Sequence, residues 1–166
     1  MNTLILGLGN PIVSDDAVGI RVAGVLRERL ADHADIEVDE DYWGGLKLME
    51  RLIGYQQAVV IDAIQTGDAP PGTIHRLRVD DMPTQRSASA HDVNLTTALE
   101  IGRRAEQPLP RDADIHLVGI EAADILNFGE RLTPAVEAAV PRAVALVLEI
   151  LGLPAPPSNH REEDPS

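Results

Sequence analysis

Residues 3–19, T-L-I-L-G-L-G-N-P-I-V-S-D-D-A-V-G, constrain the fold more than any other stretch of the chain. Thr3, Leu4, Ile5 and Leu6 are apolar or β-branched without alternation, the pattern of a strand covered on both faces. Gly7, Gly9 and Asn10 follow as a turn in which backbone passes close to a neighbour or takes a positive φ. Ser14 and Asp15 then supply N-cap chemistry for a helix, with Asp15 the better cap of the two carboxylates. Along that helix Val18, Val22, Val25, Leu26 and Leu30 recur at three- and four-residue spacing and form one apolar face. The unit is strand, glycine turn, helix. It leaves Asp16 beyond the carboxyl end of a buried strand, where open α/β sheets build their sites.

The remaining chain repeats this alternation. Residues 36–39 alternate apolar and acidic like a strand with one wet face, 41–45 read as a turn, and 46–53 as a short helix. Residues 58–61 are a second buried strand ending at Asp62, and 65–72 are turn chemistry leading to an alternating strand at 73–79. The link between those two strands holds no helix and is short for a parallel crossover, so the later strand is predicted antiparallel and near an edge. A polar loop over 80–90, a helix from about His91 to Glu106, a Pro-containing loop and a strand at 115–119 follow. Thr133 and Pro134 start a last helix, with Thr133 as its N-cap, that reaches Leu151 and is expected to kink or restart at Pro141. The prediction is a three-layer α/β/α sandwich with a mostly parallel five-stranded sheet and one antiparallel strand near an edge. Residues 1–152 form its single domain, and 153–166, Pro-rich and then acidic, are expected to be a disordered tail.

Composition narrows the function classes. The 166 residues include no cysteine, which removes disulfides, thiolate metal sites and a cysteine nucleophile. A formal net charge of −13 opposes nucleic acid as a partner, because such binding rests on cationic side chains at phosphates. No basic leader and no membrane-length apolar run is visible, so a cytoplasmic chain without a membrane partner is expected. Nothing resembling a heptad or an apolar stripe calls for a dimer, and a monomer is expected.

Three polar side chains stop apolar runs: Asp16 after the first strand, Asp62 at the end of the second buried strand, and His91 at a loop-to-helix junction. Two carboxylates and an imidazole suit nickel, zinc or manganese and leave positions open for water or substrate. Without a metal, one carboxylate can act as general base beside the other. The plainer readings stand beside this one: a helix cap for Asp16, an Asx turn for Asp62 and a surface role for His91. His75 and His116 lie inside strand segments and read as structural, while His33 and His160 read as surface residues. The glycine pattern is not a dinucleotide fingerprint, since Ile12 takes the third glycine position, and no lysine makes it a P-loop. Ser14 lies in no nucleophile-elbow sequence.

Four blocks in order make the chain similar to the hydrogenase maturation endopeptidases. They are G-L-G-N-P-I-V-S-D-D-A-V-G-I-R-V at 7–22, V-V-I-D-A at 59–63 with A-P-P-G at 69–72, S-A-H at 89–91, and V-G-I-E at 118–121 with L-T-P at 132–134. The resemblance covers most of the chain. It implies an endopeptidase, aspartic-type or metal-dependent, that removes the C-terminal extension of a nickel–iron hydrogenase large-subunit precursor after nickel insertion. It also implies Asp16, Asp62 and His91 as catalytic and metal-binding residues, with Gly7, Gly9 and Asn10 as the site loop. In that scheme nickel is supplied by the substrate's own active site, and other divalent metals can substitute. Asp16 stands where many members carry Glu. Residues 41–45, D-Y-W-G-G, depart from the small, Gly- and Thr-rich turn of the family, which suggests a different substrate preference.

Two rival readings exist. Peptidyl-tRNA hydrolases also open on a strand followed by Gly-Leu-Gly-Asn-Pro, but they continue with an Arg-His-Asn segment that this chain lacks, and the charge opposes tRNA. A non-proteolytic paralogue that binds a metal centre or precursor would keep the same three ligands.

Overall fold

A computed structural model of the chain describes residues 1–42, 45–81 and 95–155. Five strands, β1 (Thr3–Leu8), β2 (Ile36–Asp41), β3 (Gln57–Ile64), β4 (Ile74–Arg78) and β5 (Ile115–Glu121), form one sheet in the order β2-β1-β3-β5-β4. All pairings are parallel except β4 with β5, so the predicted antiparallel strand lies at the edge. Four helices cover the sheet: α1 (Val18–Arg29), α2 (Leu46–Leu52), α3 (Leu95–Arg104) and α4 (Pro134–Ile150).

Strand alternation divides the core between the two faces. Ile5, Val59, Ile61, Val118 and Ile120 pack with Val22 and Leu26 of α1 and with Val136, Val144 and Val147 of α4. Leu4, Leu6, Val60, Ile115 and Leu117 point the other way, onto Leu48 and Leu52 of α2 and Leu95 and Leu99 of α3. The three-layer arrangement follows from strands that are apolar on both sides. Gly7 and Gly19 let α1 lie directly on the sheet: a Cβ on Gly7 would stand 2.4 Å from the Gly19 carbonyl oxygen, and one on Gly19 would stand 2.4 Å from those of Leu8 and Ile61.

From β1 the chain crosses through α1 to β2 on one side and then through α2 to β3 on the other. The direction of winding therefore reverses between β1 and β3. In open α/β sheets a crevice forms at the carboxyl ends of such a strand pair.

Several boundaries differ from the sequence expectation. Asp62 does not end its strand, because β3 runs on to Ile64, and β5 continues past Gly119 to Glu121. A 3-10 turn, Ser14–Ala17, precedes α1, whose N-cap is Ala17 with no side-chain bond, so neither Ser14 nor Asp15 caps it. Thr133 is the N-cap of α4 by position, but its hydroxyl makes no capping bond to the helix. Pro141 does not restart α4, which runs through it as one helix. The expected tail boundary at 153 also moves: Leu153 closes α4 in a Schellman arrangement, its N–H donating to Leu148 O at 2.9 Å and Gly152 N–H to Glu149 O at 2.9 Å. Leu153 packs against the core. Trp43, Gly44, the 89–91 block and residues 156–166 lie outside the described residues. Among the described residues no helix is long and apolar enough to cross a membrane.

Candidate active site

Four carboxylates are buried at the carboxyl edge of the sheet: Asp15, Asp16, Asp62 and Glu121. A buried carboxylate is tolerated only where donors replace its water. The four differ in which donors do this.

Asp15 is a clamp. Its Oδ2 accepts the N–H groups of Ala123 and Asp124 at 2.9 Å each, and its Oδ1 accepts the Thr133 N–H at 2.7 Å. The Thr133 hydroxyl donates to the same carboxylate at 2.8 Å. One side chain thus fastens both ends of the 123–133 loop, which explains why it is unavailable as a cap for α1. Glu121, at the end of β5, does the same for the loop after β3. Its Oε1 accepts Thr66 N–H at 2.9 Å and Gly67 N–H at 3.1 Å, and its Oε2 lies 3.2 Å from His75 Nε2. His75 is therefore structural, as expected. His116 is buried in β5, and burial, reinforced by the charges of Arg76 and Arg78, pushes its imidazole below the usual histidine range.

Asp16 is held differently. The backbone N–H of Asn10 donates to its Oδ2 at 2.9 Å, and Oδ1 has no hydrogen-bond partner among the described residues. The residue is 8% exposed. Gly9 makes this possible: it has φ +148, and a Cβ there would stand 1.9 Å from the Asp16 carbonyl oxygen. Only glycine lets the turn fold this tightly over Asp16. Asn10 stiffens the next step by accepting the Ile12 N–H on Oδ1 at 3.2 Å. The turn also holds Ser14 at φ +27, pinned by its N–H to Gly129 O at 2.9 Å. Gly9 and Asn10 lie in the turn where expected, whereas Gly7 does not: it is paired within β1, which runs on to Leu8.

Asp62 is the first β3 residue beyond the β1 pairing, which ends at Gly7 with Ile61, and it stands opposite Gly119 of β5. Its Oδ1 accepts the Ala63 N–H at 2.8 Å, and the residue is 7% exposed. By strand alternation it shares the α2/α3 face with Val60, and it lines a cavity of about 40 Å³ with Leu8, Leu48, Leu77 and Leu95. The 3-10 turn carrying Asp16 lies against β3. Asp16, in the turn after β1, and Asp62, within the last stretch of β3 pairing with β5, thus both lie at the carboxyl edge of the sheet where the winding reverses. His91 lies outside the described residues, and among those described no three acidic or histidine side chains converge as a metal site.

The roles of Asp15 and Glu121 escaped sequence reasoning. A usable signal existed for Glu121, because it ends an apolar strand just as Asp62 interrupts one. Asp15 carried none, since its partners are over 100 positions away.

The fold and these carboxylates define an α/β/α protein with an acidic site at a switch point. The family model described as hydrogenase maturation protease, HycI, matches residues 20–150, and the chain belongs to that family. It is 29% identical over 153 residues to the hydrogenase 2 maturation protease of Escherichia coli, with 91% of each chain covered. It is 26% identical over 148 residues to the hydrogenase expression/formation protein HupD of Thiocapsa roseopersicina, covering 89% of this chain but 66% of that protein's length. Among solved structures, the hydrogenase maturating endopeptidase HybD from E. coli superposes with a TM-score of 0.75 at 28% identity, covering 92% of this chain and 93% of that one.

Proposed function

We propose that this chain is the endopeptidase its family name describes, acting on the large-subunit precursor of a nickel–iron hydrogenase and removing its C-terminal extension once nickel is in place. The observation that carries the reading is the pair Asp16 and Asp62 at the switch point, with Asp16 presenting an unpartnered oxygen. A carboxylate oxygen without a donor, on a buried side chain, is a site for a cation or a proton. Two hard oxygen donors fit a divalent metal, and His91 is proposed as the third.

The nickel is read as part of the substrate. A protein that offers an incomplete ligand set binds a loaded precursor through the metal and an empty one poorly. When bound, such an ion supplies Lewis-acid polarisation of an oxygen atom. Hydrolysis adds the water oxygen to the peptide carbonyl carbon, breaks the C–N bond and delivers a proton to the departing amine. One carboxylate of the pair suffices to accept the water proton and return it to the amine, provided it is not the one bound to the ion. The same reading makes the enzyme a monomer working in the cytoplasm.

The test is a processing assay on nickel-loaded and nickel-free precursors, with Asp16→Asn and Asp62→Asn beside the parent. Cleavage of the loaded form alone, reduced at least a hundredfold in each variant, is the expected result. Full cleavage by an Asp16→Asn/Asp62→Asn double variant refutes the assignment. Binding without cleavage by the parent favours a non-proteolytic paralogue.

A further inference from the structure

The 123–133 loop is among the most firmly fastened loops in the described structure, yet it displays its apolar side chains to water. Asp15 ties both of its ends. Midway, Gly129 N–H donates to Ile12 O at 2.9 Å while Ser14 N–H donates to Gly129 O, also at 2.9 Å, which zips the loop to the turn that carries Asp16. Inside the loop, Asp124 Oδ1 accepts the N–H groups of Leu126 and Asn127 at 3.1 Å each, and Asp124 Oδ2 accepts from Asn127 Nδ2 at 2.9 Å. Ile125 and Leu132 turn inward onto the core. Leu126 and Phe128 turn outward and are 84% and 82% exposed, and Ile12 across the zip is 53% exposed. Phe128 is the only phenylalanine of the chain.

Burying Leu126 and Phe128 would stabilise the chain, but the hydrogen bonds hold the loop in a shape that keeps them out. Such a rigid apolar ridge suits contact with another molecule. It is continuous with the proposed site, because Ile12 and Asn10 belong to the same turn that grips Asp16. Its rim carries two acids, Asp124 and Glu130, against one base, Arg131, in a chain of net charge −13. The Asn127 side chain, with the N–H groups of Asn127 and Leu126, holds the Asp124 carboxyl below the usual carboxylate range, so this rim stays charged.

We infer that Ile12, Leu126 and Phe128 form the docking ridge for the precursor, taking an apolar patch bordered by basic side chains beside the segment that enters the site. This rests on the proposed function for the identity of the partner. Binding of nickel-loaded precursor is read on the full-length chain with Asp16 intact, as KM where the precursor is cleaved and by titration calorimetry where it is not. Leu126→Ser/Phe128→Ser, and Phe128→Ser alone, are compared with that parent, with Ile101→Ser on α3 as an exposed control and melting temperatures to confirm folding. The expected result is affinity reduced roughly tenfold or more in the double variant and unchanged in the control. Unchanged affinity in folded ridge variants overturns the inference, as does absence of binding by the parent. Loss of self-association with precursor binding intact overturns it too, assigning the ridge to a second copy. Ridge-dependent binding by a parent chain that cuts nothing refutes the protease reading and leaves the docking surface standing.

Discussion

Replacing Asp15 should damage the protein in a different way from replacing Asp16 one position later. Asp15→Ala leaves three backbone donors, those of Ala123, Asp124 and Thr133, without their acceptor. Each orphaned donor costs about 1–3 kcal/mol when buried. Water can reach the Ala123 end of this loop, so the lower half of that range applies and the expected loss is about 4 kcal/mol. For a chain of this size that corresponds to a fall in melting temperature of roughly 8–16 °C. Asp15→Asn keeps one oxygen. Its amide can face Thr133, whose hydroxyl is able to accept as well as donate, so only the Thr133 N–H bond is lost, for about 1–2 kcal/mol. Urea unfolding at neutral pH measures both values, and hydrogen exchange locates them, with faster exchange expected at Ala123, Asp124 and Thr133. Asp16→Asn, by contrast, should change stability by under about 1 kcal/mol, since it disturbs a single bond. An Asp15→Ala chain within about 1 kcal/mol of the parent, with those three amides exchanging as before, would refute the clamp and the division of roles built on it.

Two further perturbations probe the turn and the sheet. Gly9→Ala forces a Cβ against the Asp16 carbonyl in a backbone conformation that alanine rarely adopts, so a loss of at least about 2 kcal/mol is expected in urea unfolding, together with loss of precursor processing. His116 carries a depressed pKa in the folded chain. The unfolded chain therefore takes up its proton first as pH falls, and the stability this group contributes is complete above the unfolded value near 6.5 and declines as pH drops toward the folded one. His116→Gln should flatten the stability profile on the acid side of pH 6.5 in urea titrations, and an unchanged profile would count against burial as the cause.

Much of the architecture was legible because burial on both faces of β1, β3 and β5 writes itself as unbroken apolar runs. The edge position and reversed direction of β4 followed from a link too short for a crossover. Less was legible wherever a polar side chain had a choice of distant partners. Asp15 has good local capping chemistry, but a helix cap is worth about 1 kcal/mol, and the four donors gathered from 123, 124 and 133 outweigh it. Thr133 lost its capping bond for the same reason, its hydroxyl being drawn to Asp15. At Pro141 the helix runs on because packing of Val136, Ala139, Ala143 and Val144 against the sheet holds both halves in line. Asp16 and Asp62 draw notice in the sequence as carboxylates beside apolar runs, and the parallel pairing of β1 with β3 puts both at the carboxyl edge of the sheet.

The division of labour among the four carboxylates has an energetic logic. Crowding acidic groups at one sheet edge in a chain of net charge −13 is unfavourable unless donors offset each charge. Asp15 and Glu121 are offset by backbone N–H groups and hydroxyls fixed in the fold, and in return they shape the two loops that border the crevice. Asp16 receives one N–H bond and keeps an oxygen unanswered, while Gly9 accepts a strained φ to hold it there. Folding gains from the Asn10 bond to Oδ2, but nothing in the described residues answers the other oxygen. In the function proposed above, a cation would complete its coordination at that oxygen. On that reading, a metal carried by the partner would turn the open oxygen of Asp16 into affinity for the loaded form.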